Sequence, residues 1–431
     1  MFNIKLIILV FCLIFFAPSS AYAYLDPGTG NMLIYIIISM VGAAAYFLKN
    51  VFYGLINELN ISTKSCTATQ RDESLIIFSE GKIYWNTFKP IIEALLQLEQ
   101  PFSYLTMDIE DPALLIENPY LDNRYVGEGS GAFARIGQVR GLVMLSTTPN
   151  IGTPGYPLPR PRHVKNLVHV FHGVGDVGSY LKFSLDNYDT VLMVGDYMLD
   201  NIRDLEKKRN LTEKTCVSAG LPYLDELAQK IHLKDGISEP PIVLAAPSWG
   251  DKNFLGRYGI EPLKKLVGAG YKLIVRPHPY SNIIEPQIMA EAQAQLDGHP
   301  NVSFDFEPDG SSSFGQADVM ISDLSGVRYD FTWLYQRPVI TIDMPLRNGD
   351  QYEMSDLDRV WEIDTAEELG PVIKPENLDE IDKVVAQALT KKPEDMAALR
   401  NRYLTNFRLS GVFVANWLVT ESRRLKEISN A

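Results

Sequence analysis

The sequence has little of what characterises several large classes of protein. Its 431 residues include only 3 cysteines, and Cys12, Cys66 and Cys216 are too far apart for a CxxC motif or a zinc site. We therefore expect no disulfide framework and a reducing compartment for the main part of the chain. The net charge is −13 and no long basic run occurs, which argues against a protein that binds duplex nucleic acid.

Common catalytic and cofactor motifs are also missing. The chain contains no GxxxxGK[ST], no GxSxG and no HExxH motif, and no internal repeat or low-complexity tract. The segment "GVGDVG" fits GxGxxG, but Asp176 lies among its glycines and no acidic residue follows at a second strand end. We therefore predict neither a dinucleotide cofactor nor a metal ion.

Two apolar runs occupy the N-terminus. The first, Leu6–Phe16, follows Lys5 and precedes the small residues of "APSSAYA", which is typical of a signal peptide over residues 1–23, or of a first anchor. The second, Met32–Leu48, is just long enough to cross a membrane and is followed by Lys49.

These runs predict a topology. Residues 24–49 would comprise a periplasmic motif, "YLDPGTG", and a transmembrane helix. The rest of the chain would then lie in the cytoplasm, held at the inner membrane. A secreted domain on a single outward anchor is the alternative.

From residue 72 onward, strand-length apolar runs alternate with amphipathic stretches of helical period. One series contains "LIIF", "GLVMLS", "NLVHVF" and "TVLMVG", and a second contains "IVLAAP", "YKLIVRP", "DVMISD" and "PVITID". This alternation predicts parallel sheets with crossover helices. We expect two Rossmann-like α/β domains, residues 72–234 and 235–392, joined by a linker near Lys234–Pro241. The helical residues 393–431 are expected to pack back on the first domain.

Two histidines follow buried strands. In "NLVHVFHG" and "LIVRPHP", β-branched apolar runs end at His172 and His278, with glycine or proline stopping each strand. Ligands of open α/β sheets bind beyond the carboxyl ends of the strands, so both imidazoles are candidate catalytic groups. His169 lies on the opposite face of its strand from His172 and is expected to be a core residue. A structural role for either candidate histidine is the competing interpretation.

A third strand end carries residues suited to phosphate. In "ISDLSGVRYDF", Ser322 and Ser325 can donate hydrogen bonds, Gly326 permits close approach, and the helix that follows offers free N–H groups. Asp323 is anionic and is expected to cap or orient. Arg276, beside His278, could bind phosphate or form a surface ion pair.

These segments, in this order, resemble the CDP-glycerol glycerophosphotransferase family of teichoic-acid synthesis. The resemblance covers roughly residues 74 to 345. The matching segments are "FSEGKIYWNTFKPIIEAL", "VHVFHG", "VSAGLPYLDEL", "VLAAPSWGDKN", "RPHP" and "ISDLSGVRYDF".

The resemblance implies a GT-B fold, with an acceptor domain facing a domain that holds a CDP-activated donor such as CDP-glycerol. By motif, His172 would be the general base, and His278 would contact the donor diphosphate together with Arg276 and the serine turn. Lys82, Tyr84 and Asn86 would line the acceptor side, although a capped loop before the helix explains them equally well. The acceptor would be a polymer or a lipid-linked precursor at the membrane.

The sequence departs from the family pattern at three positions. Tyr223 stands where the family usually has arginine, Gly250 where arginine follows the tryptophan, and Gly326 where a second serine is usual. Two alternatives therefore stay open. One is a GT-B glycosyltransferase or epimerase that uses another nucleotide sugar, and the other is a non-catalytic scaffold of envelope biogenesis.

Overall fold

The computed structural model describes residues 74–231, 233–250, 253–307, 310–344 and 350–430. The predicted signal peptide and the predicted transmembrane helix Met32–Leu48 lie outside these residues. Within the described part of the chain, no helix combines the length and the apolar character needed to cross a membrane. The described residues belong to one compact unit, which contains two parallel sheets.

The first sheet has seven strands in the order β3-β2-β1-β4-β5-β6-β7, all parallel. Its central strands are apolar runs buried on both faces, as expected for a sheet covered by helices on each side. The strands are β1 Leu75–Ser79, β2 Phe102–Thr106, β3 Leu121–Tyr125, β4 Arg140–Ser146, β5 His163–Val170, β6 Thr190–Met193 and β7 Thr215–Ser218.

The second sheet has six parallel strands in the order β10-β9-β8-β11-β12-β13. The strands are β8 Ile242–Ala245, β9 Lys272–Val275, β10 Val302–Phe304, β11 Val319–Ser322, β12 Val339–Ile342 and β13 Val372–Ile373. We call residues 74–231 the N-terminal lobe and residues 242–389 the C-terminal lobe.

Helices connect and cover the strands, so the predicted α/β architecture with two parallel sheets is confirmed. The helices are α1 Trp85–Gln97, α2 Gly129–Gly137, α3 Leu199–Arg209, α4 Pro222–Ala228, α5 Phe254–Tyr258, α6 Glu261–Gly268, α7 Ser281–Ile284, α8 Pro286–Leu296, α9 Ser311–Gln316, α10 Val327–Tyr335, α11 Trp361–Asp364, α12 Ala366–Leu369, α13 Ile381–Ala388, α14 Pro393–Tyr403 and α15 Ser410–Asn430.

The last helix, α15, returns to the N-terminal lobe, as the sequence predicts. It packs against α1 and β4, with Val414, Ala415 and Leu418 fully buried. At its start, the Gly411 N–H donates to Asp225 (2.9 Å), and further along Asn166 donates to Glu421 (2.8 Å). The C-terminal helix is therefore bound to several parts of the N-terminal lobe.

Each sheet reverses its winding direction at one place. In the first sheet the chain adds β2 and β3 on one side of β1 and then adds β4 to β7 on the other, and the second sheet does the same around β8. Such switch points leave a crevice at the carboxyl ends of the strands, where ligands of open α/β sheets bind. The two crevices are the β1/β4 and β8/β11 boundaries.

The two lobes also touch through a segment that follows β12. The Glu353 carboxylate accepts hydrogen bonds from Arg209 (3.0 Å) and from the Phe183 N–H (2.8 Å). Glu362, at the start of α11, accepts from the Asp176 N–H at 2.8 Å. Residues 350–362 thereby fix the loop that follows His172, which no pattern in the sequence indicates.

Candidate active site

Three adjacent strands of the N-terminal lobe bring polar side chains to one edge. Glu80 follows β1, Thr148 follows β4 by two residues, and His172 follows β5 by two residues. Because β1, β4 and β5 are neighbours in a parallel sheet, their carboxyl ends meet at the same crevice. The sequence analysis found His172 here but missed Glu80, for which "FSEGK" gives no distinctive signal.

His172 lies in an apolar, aromatic environment. Its ring meets the Tyr84 ring edge-on at 5.0 Å between centroids, and its buried Nδ1 has no hydrogen-bond partner among the described residues. Burial lowers the pKa of His172 to about 4. The imidazole is therefore neutral near pH 7 and can accept a proton.

His169 is confirmed as a core histidine. It is fully buried, its Nε2 lies 3.0 Å from the Tyr180 hydroxyl, and its ring packs edge-on against Phe171 and Tyr188. Burial holds the pKa of His169 well below its usual range. His169 therefore stays neutral within the core.

His278 is held in a defined orientation at the edge of the C-terminal lobe. Its Nδ1 accepts a hydrogen bond from the Tyr280 N–H at 3.2 Å, and its ring stacks on that of Tyr280 at 5.7 Å. In the neutral ring the proton therefore resides on Nε2. Nε2 is a hydrogen-bond donor, which suits contact with a phosphate oxygen.

Two tyrosines connect the surroundings of the two histidines. Burial, followed by the electrostatic influence of Glu80 and Tyr280, raises the pKa of Tyr84 to about 12. Tyr84 contacts His172, and Tyr280 stacks on His278. The electrostatic influence of Tyr280 on Tyr84 relates the surroundings of the two histidines.

The turn after β11 holds two of the predicted donor-binding residues in hydrogen bonds. Ser322 is fully buried and its hydroxyl donates to the Ala246 carbonyl at 2.6 Å. Asp323 is buried too, and its carboxylate accepts from the Ser248 N–H (3.1 Å) and the Phe254 N–H (3.3 Å). It orients the neighbouring loop, in keeping with its expected orienting role.

Ser325 and Gly326 lie at the start of α10. Ser325 is half-buried, and Gly326 is exposed, yet a Cβ atom at Gly326 would lie 3.0 Å from the Val174 carbonyl oxygen. The close approach that glycine permits here is therefore to the loop after His172. This contact places the start of α10 beside the loop that follows His172.

Arg328 is a fully buried cation that the sequence analysis missed. Its guanidinium donates to the Ser325 carbonyl (3.1 Å), the Thr341 hydroxyl (3.0 Å) and the Glu362 carbonyl (3.1 Å). Arg328 therefore links the turn at Ser325 to Glu362 in α11. The Glu362 side chain in turn accepts from the Asp176 N–H, in the loop after His172. The position of Arg328 in an amphipathic helix gives no sign of this role.

Two further predicted binding residues, Arg276 and Lys82, each form an ion pair. Arg276 is largely buried and forms an ion pair with Asp305 at 2.7 Å. Lys82 is exposed, pairs with Glu110, and its backbone N–H donates to Asp108 (3.1 Å). These contacts agree with the simpler interpretations, an ion pair and a fixed loop, although Arg276 also borders the pocket described next.

A pocket of about 290 Å³ lies between the lobes. It adjoins Arg276, since a Cβ atom at Gly310 would come within 2.9 Å of the Arg276 Nε. Its walls carry aromatic, aliphatic, amide and hydroxyl groups and one lysine, supplied by Asn86, Tyr223, Leu227, Lys230, Gly310, Ser311, Phe314, Leu334 and Tyr335. Asn86 thus lines the same pocket as Tyr223, the residue that departs from the family pattern.

Solved structures of other proteins share the fold of this chain. The wall teichoic acid polymerase TagF is similar with 15% identity and a TM-score of 0.52, over 90% of this chain and 99% of that one. A putative UDP-N-acetylglucosamine 2-epimerase from Listeria monocytogenes is similar with 14% identity and a TM-score of 0.51, over 80% and 94% of the two chains. At these identities the likeness concerns the fold alone.

Comparison of the sequence gives the family. No curated protein matches the chain closely enough to count as a relative. The model of the family described as CDP-glycerol:poly(glycerophosphate) glycerophosphotransferase matches residues 178–405, more than half of the chain. The chain therefore belongs to this family and is an enzyme of the CDP-glycerol glycerophosphotransferase type.

Proposed function

We propose that the protein transfers glycerol phosphate, or a related polyol phosphate, from a CDP-activated donor to a hydroxyl group of a cell-surface polymer or lipid-linked precursor. The observation that carries the proposal is the link between the two histidines, since Tyr84 contacts His172, Tyr280 stacks on His278, and Tyr280 influences Tyr84 electrostatically. It joins a neutral imidazole at one sheet edge to a donor imidazole at the other. Such a pair suits a nucleophile on one side and a diphosphate on the other.

The donor binds on the C-terminal lobe. His278 donates a hydrogen bond from Nε2 to the diphosphate, and Ser325 with the start of α10 supplies further donors. The cytidine lies in the interlobe pocket, where Tyr223 and Phe314 offer aromatic surface and Ser311 offers a hydroxyl. Arg276 borders this pocket, where the ion pair with Asp305 holds its guanidinium in place.

Chemistry occurs between the lobes. The acceptor hydroxyl gives its proton to a ring nitrogen of His172 as its oxygen attacks the β-phosphorus of the donor. The bond from that phosphorus to the oxygen of CMP breaks, and CMP leaves with the electron pair. Charge spreads over the transferred phosphoryl oxygens, so fixed donors at this point provide most of the rate enhancement.

The enzyme works at the cytoplasmic face of the inner membrane. This part of the proposal rests on the apolar runs before Lys49 and on their charged flanks. A reporter enzyme fused after Cys66 tests it. Activity of a cytoplasmic reporter supports the proposal, and activity of a reporter that works only after export contradicts it.

Calorimetric titration tests the donor. We expect CDP-glycerol and CMP to bind, and Phe314→Ala to weaken both by about tenfold through loss of base stacking, an effect of about 1.4 kcal/mol. A preference for UMP or a UDP-sugar would instead favour the nucleotide-sugar enzyme. Leu115→Ala, an exposed apolar position outside the pocket, is the matched control and should leave binding unchanged.

A further inference from the structure

The imidazole of His172 is held without a hydrogen bond to one of its two nitrogens. In most functional histidines, the hydrogen bond made by one ring nitrogen fixes the ring and decides which nitrogen carries the proton. The Nδ1 of His172 is buried and has no such partner among the described residues. Packing must therefore hold the ring, and Tyr84 meets it edge-on, with 5.0 Å between ring centroids and 73° between ring planes.

Tyr84 projects from a turn that is itself fixed. The turn follows β1, and the Tyr84 N–H donates to the Gly81 carbonyl at 3.1 Å. The Gly81 N–H donates to the Ser79 hydroxyl (3.1 Å), and the Lys82 N–H donates to the Asp108 carboxylate (3.1 Å). An anchored backbone therefore presents the Tyr84 ring to the imidazole from a different strand end.

The same turn lies at the protein surface. Ile83, next to Tyr84, is 79% exposed, and Tyr84 itself is half-buried. Two aromatic rings at this separation are in direct contact, so no water fits between them. Tyr84 therefore stands between solvent and one side of His172.

This shielding opposes protonation of the imidazole. A protonated ring carries an N–H on both nitrogens, and the N–H at Nδ1 would be buried without an acceptor. Burial lowers the pKa of His172 to about 4, so the neutral form persists well below pH 7. The Tyr84 hydroxyl is uncharged over the same range, because burial raises its pKa to about 12.

Other titratable groups act on one of these two rings or lie against the loop that follows. Glu80 acts on Tyr84, whereas burial alone accounts for the lowered pKa of His172. Removal of the uncharged Tyr84 ring therefore changes solvent access to His172 and not its charged neighbours. The full set is Glu80 after β1, Tyr156 after β4, His169 on β5, Tyr180, Asp176 and Glu362 at the loop after His172, and Tyr280 in the C-terminal lobe.

We propose that Tyr84 is a positioning residue of the general base, whose aromatic ring fixes the His172 imidazole and keeps water away from it. The proposal rests on the proposed function, since it concerns the base of the same reaction. It also changes the role expected for Tyr84, because a residue that lines the acceptor side would act through its hydroxyl. Tyr84→Phe keeps the ring and removes the hydroxyl, whereas Tyr84→Ala removes both.

Titration of the His172 imidazole by NMR tests the proposal without turnover. The full-length protein is labelled with ¹³C at histidine Cε1, and His172→Ala identifies the His172 signal. We expect the midpoint at about pH 4 to persist in Tyr84→Phe and to rise by about one unit or more in Tyr84→Ala, toward the ordinary value of about 6.5. Ile83→Ala, an exposed neighbour on the same turn, is the matched control and should leave the midpoint unchanged.

The pH dependence of CMP release gives a second readout. For the wild type and Tyr84→Phe, kcat/KM should change less than about twofold between about pH 7.5 and pH 5.5. For Tyr84→Ala it should fall by up to about tenfold over that interval, as for an imidazole of ordinary pKa. Thermal unfolding shows whether each variant is folded.

The two readouts separate this proposal from the proposed function. An unchanged titration midpoint in folded Tyr84→Ala, or an equal shift in Tyr84→Phe, would overturn the positioning role of the ring. Failure of the wild type to release CMP from CDP-glycerol would count against the proposed function. In that case the NMR titration still decides whether the Tyr84 ring shields His172.

Discussion

At the scale of single residues, the position of a side chain just after a buried strand indicates which groups can do chemistry but not which residues position them. His172 and His278 stand out because a titratable side chain follows a buried apolar run. Glu80 follows β1 in the same way, yet glutamate is common at surface turns, so nothing in the sequence separates it from them. Arg328 is hidden for a different reason, because its burial depends on residues that are distant in sequence.

The pH dependence of the free enzyme reports on His172. Burial lowers the pKa of this imidazole to about 4, and a general base acts only in its unprotonated form. Activity that depends on His172 should therefore persist from neutral pH down to about pH 5 and fall as the pH decreases through about 4. A profile of kcat/KM against pH measures this. A half-maximal rate near pH 6.5 would show that the ring is not desolvated as described.

Replacement of Arg328 should destabilise the protein. Arg328→Met leaves three acceptors, two of them buried, without this donor and removes a cation near the buried carboxylates of Asp323 and Glu362. Loss of a buried charged partner typically costs about 3 kcal/mol, so we expect a decrease of that size in the free energy of unfolding. Urea denaturation measures it. A loss below about 1 kcal/mol would mean that the guanidinium contributes little.

At the scale of secondary structure, the sequence predicts all the interior strands except β2 and misses all four edge strands, β3, β7, β10 and β13. The eight apolar runs correspond to β1, β4, β5, β6, β8, β9, β11 and β12. The strands β3, β7 and β10 are partly exposed and carry polar residues, so no apolar run marks them. In β2, Ser103 and Thr106 interrupt the apolar pattern although the strand is buried throughout.

Glycines at the ends of β6 and β7 allow the C-terminal segment to cross the sheet edge. A Cβ atom at Gly195 would lie 1.9 Å from the Tyr403 carbonyl oxygen. Gly195→Ala should therefore displace the segment before α15 and destabilise the protein by about 2 kcal/mol or more, as overpacking commonly does. Differential scanning calorimetry measures the shift in Tm.

Gly268→Ala provides the matched control for this prediction. Gly268 ends α6, and nothing lies within 4 Å of a Cβ atom built there. Since alanine favours helix over glycine, this variant should be neutral or stabilised by up to about 1 kcal/mol. Equal Tm values for the two variants would contradict the packing described at Gly195.

At the scale of the whole molecule, two α/β lobes could be predicted, but their mutual contacts could not. The alternation of strands and helices fixes the class of fold, and the short linker near Lys234–Pro241 indicates two halves. The contacts through residues 350–362 join side chains more than 140 residues apart, such as Arg209 with Glu353. No local pattern encodes such pairs, which arise only when both lobes have folded.

These contacts couple the two halves of the site. Arg328 holds the turn beside Ser325 and also the carbonyl of Glu362, whose side chain accepts from the loop after His172. If the donor binds at the start of α10, as proposed, its binding would also influence the position of the loop after His172. The family match, the fold and this geometry together favour transfer between the lobes over separate functions for each.

The most direct test of the account compares donor binding with turnover in His172→Ala and His278→Ala. His299→Ala is the matched control, since His299 Nδ1 also accepts from the N–H two residues ahead, at 3.2 Å, but on an exposed loop. We predict that His172→Ala binds CDP-glycerol like the wild type but releases CMP about a thousandfold more slowly, and that His278→Ala loses donor affinity as well as rate. Unchanged CMP release in both variants would contradict catalysis between the two histidines.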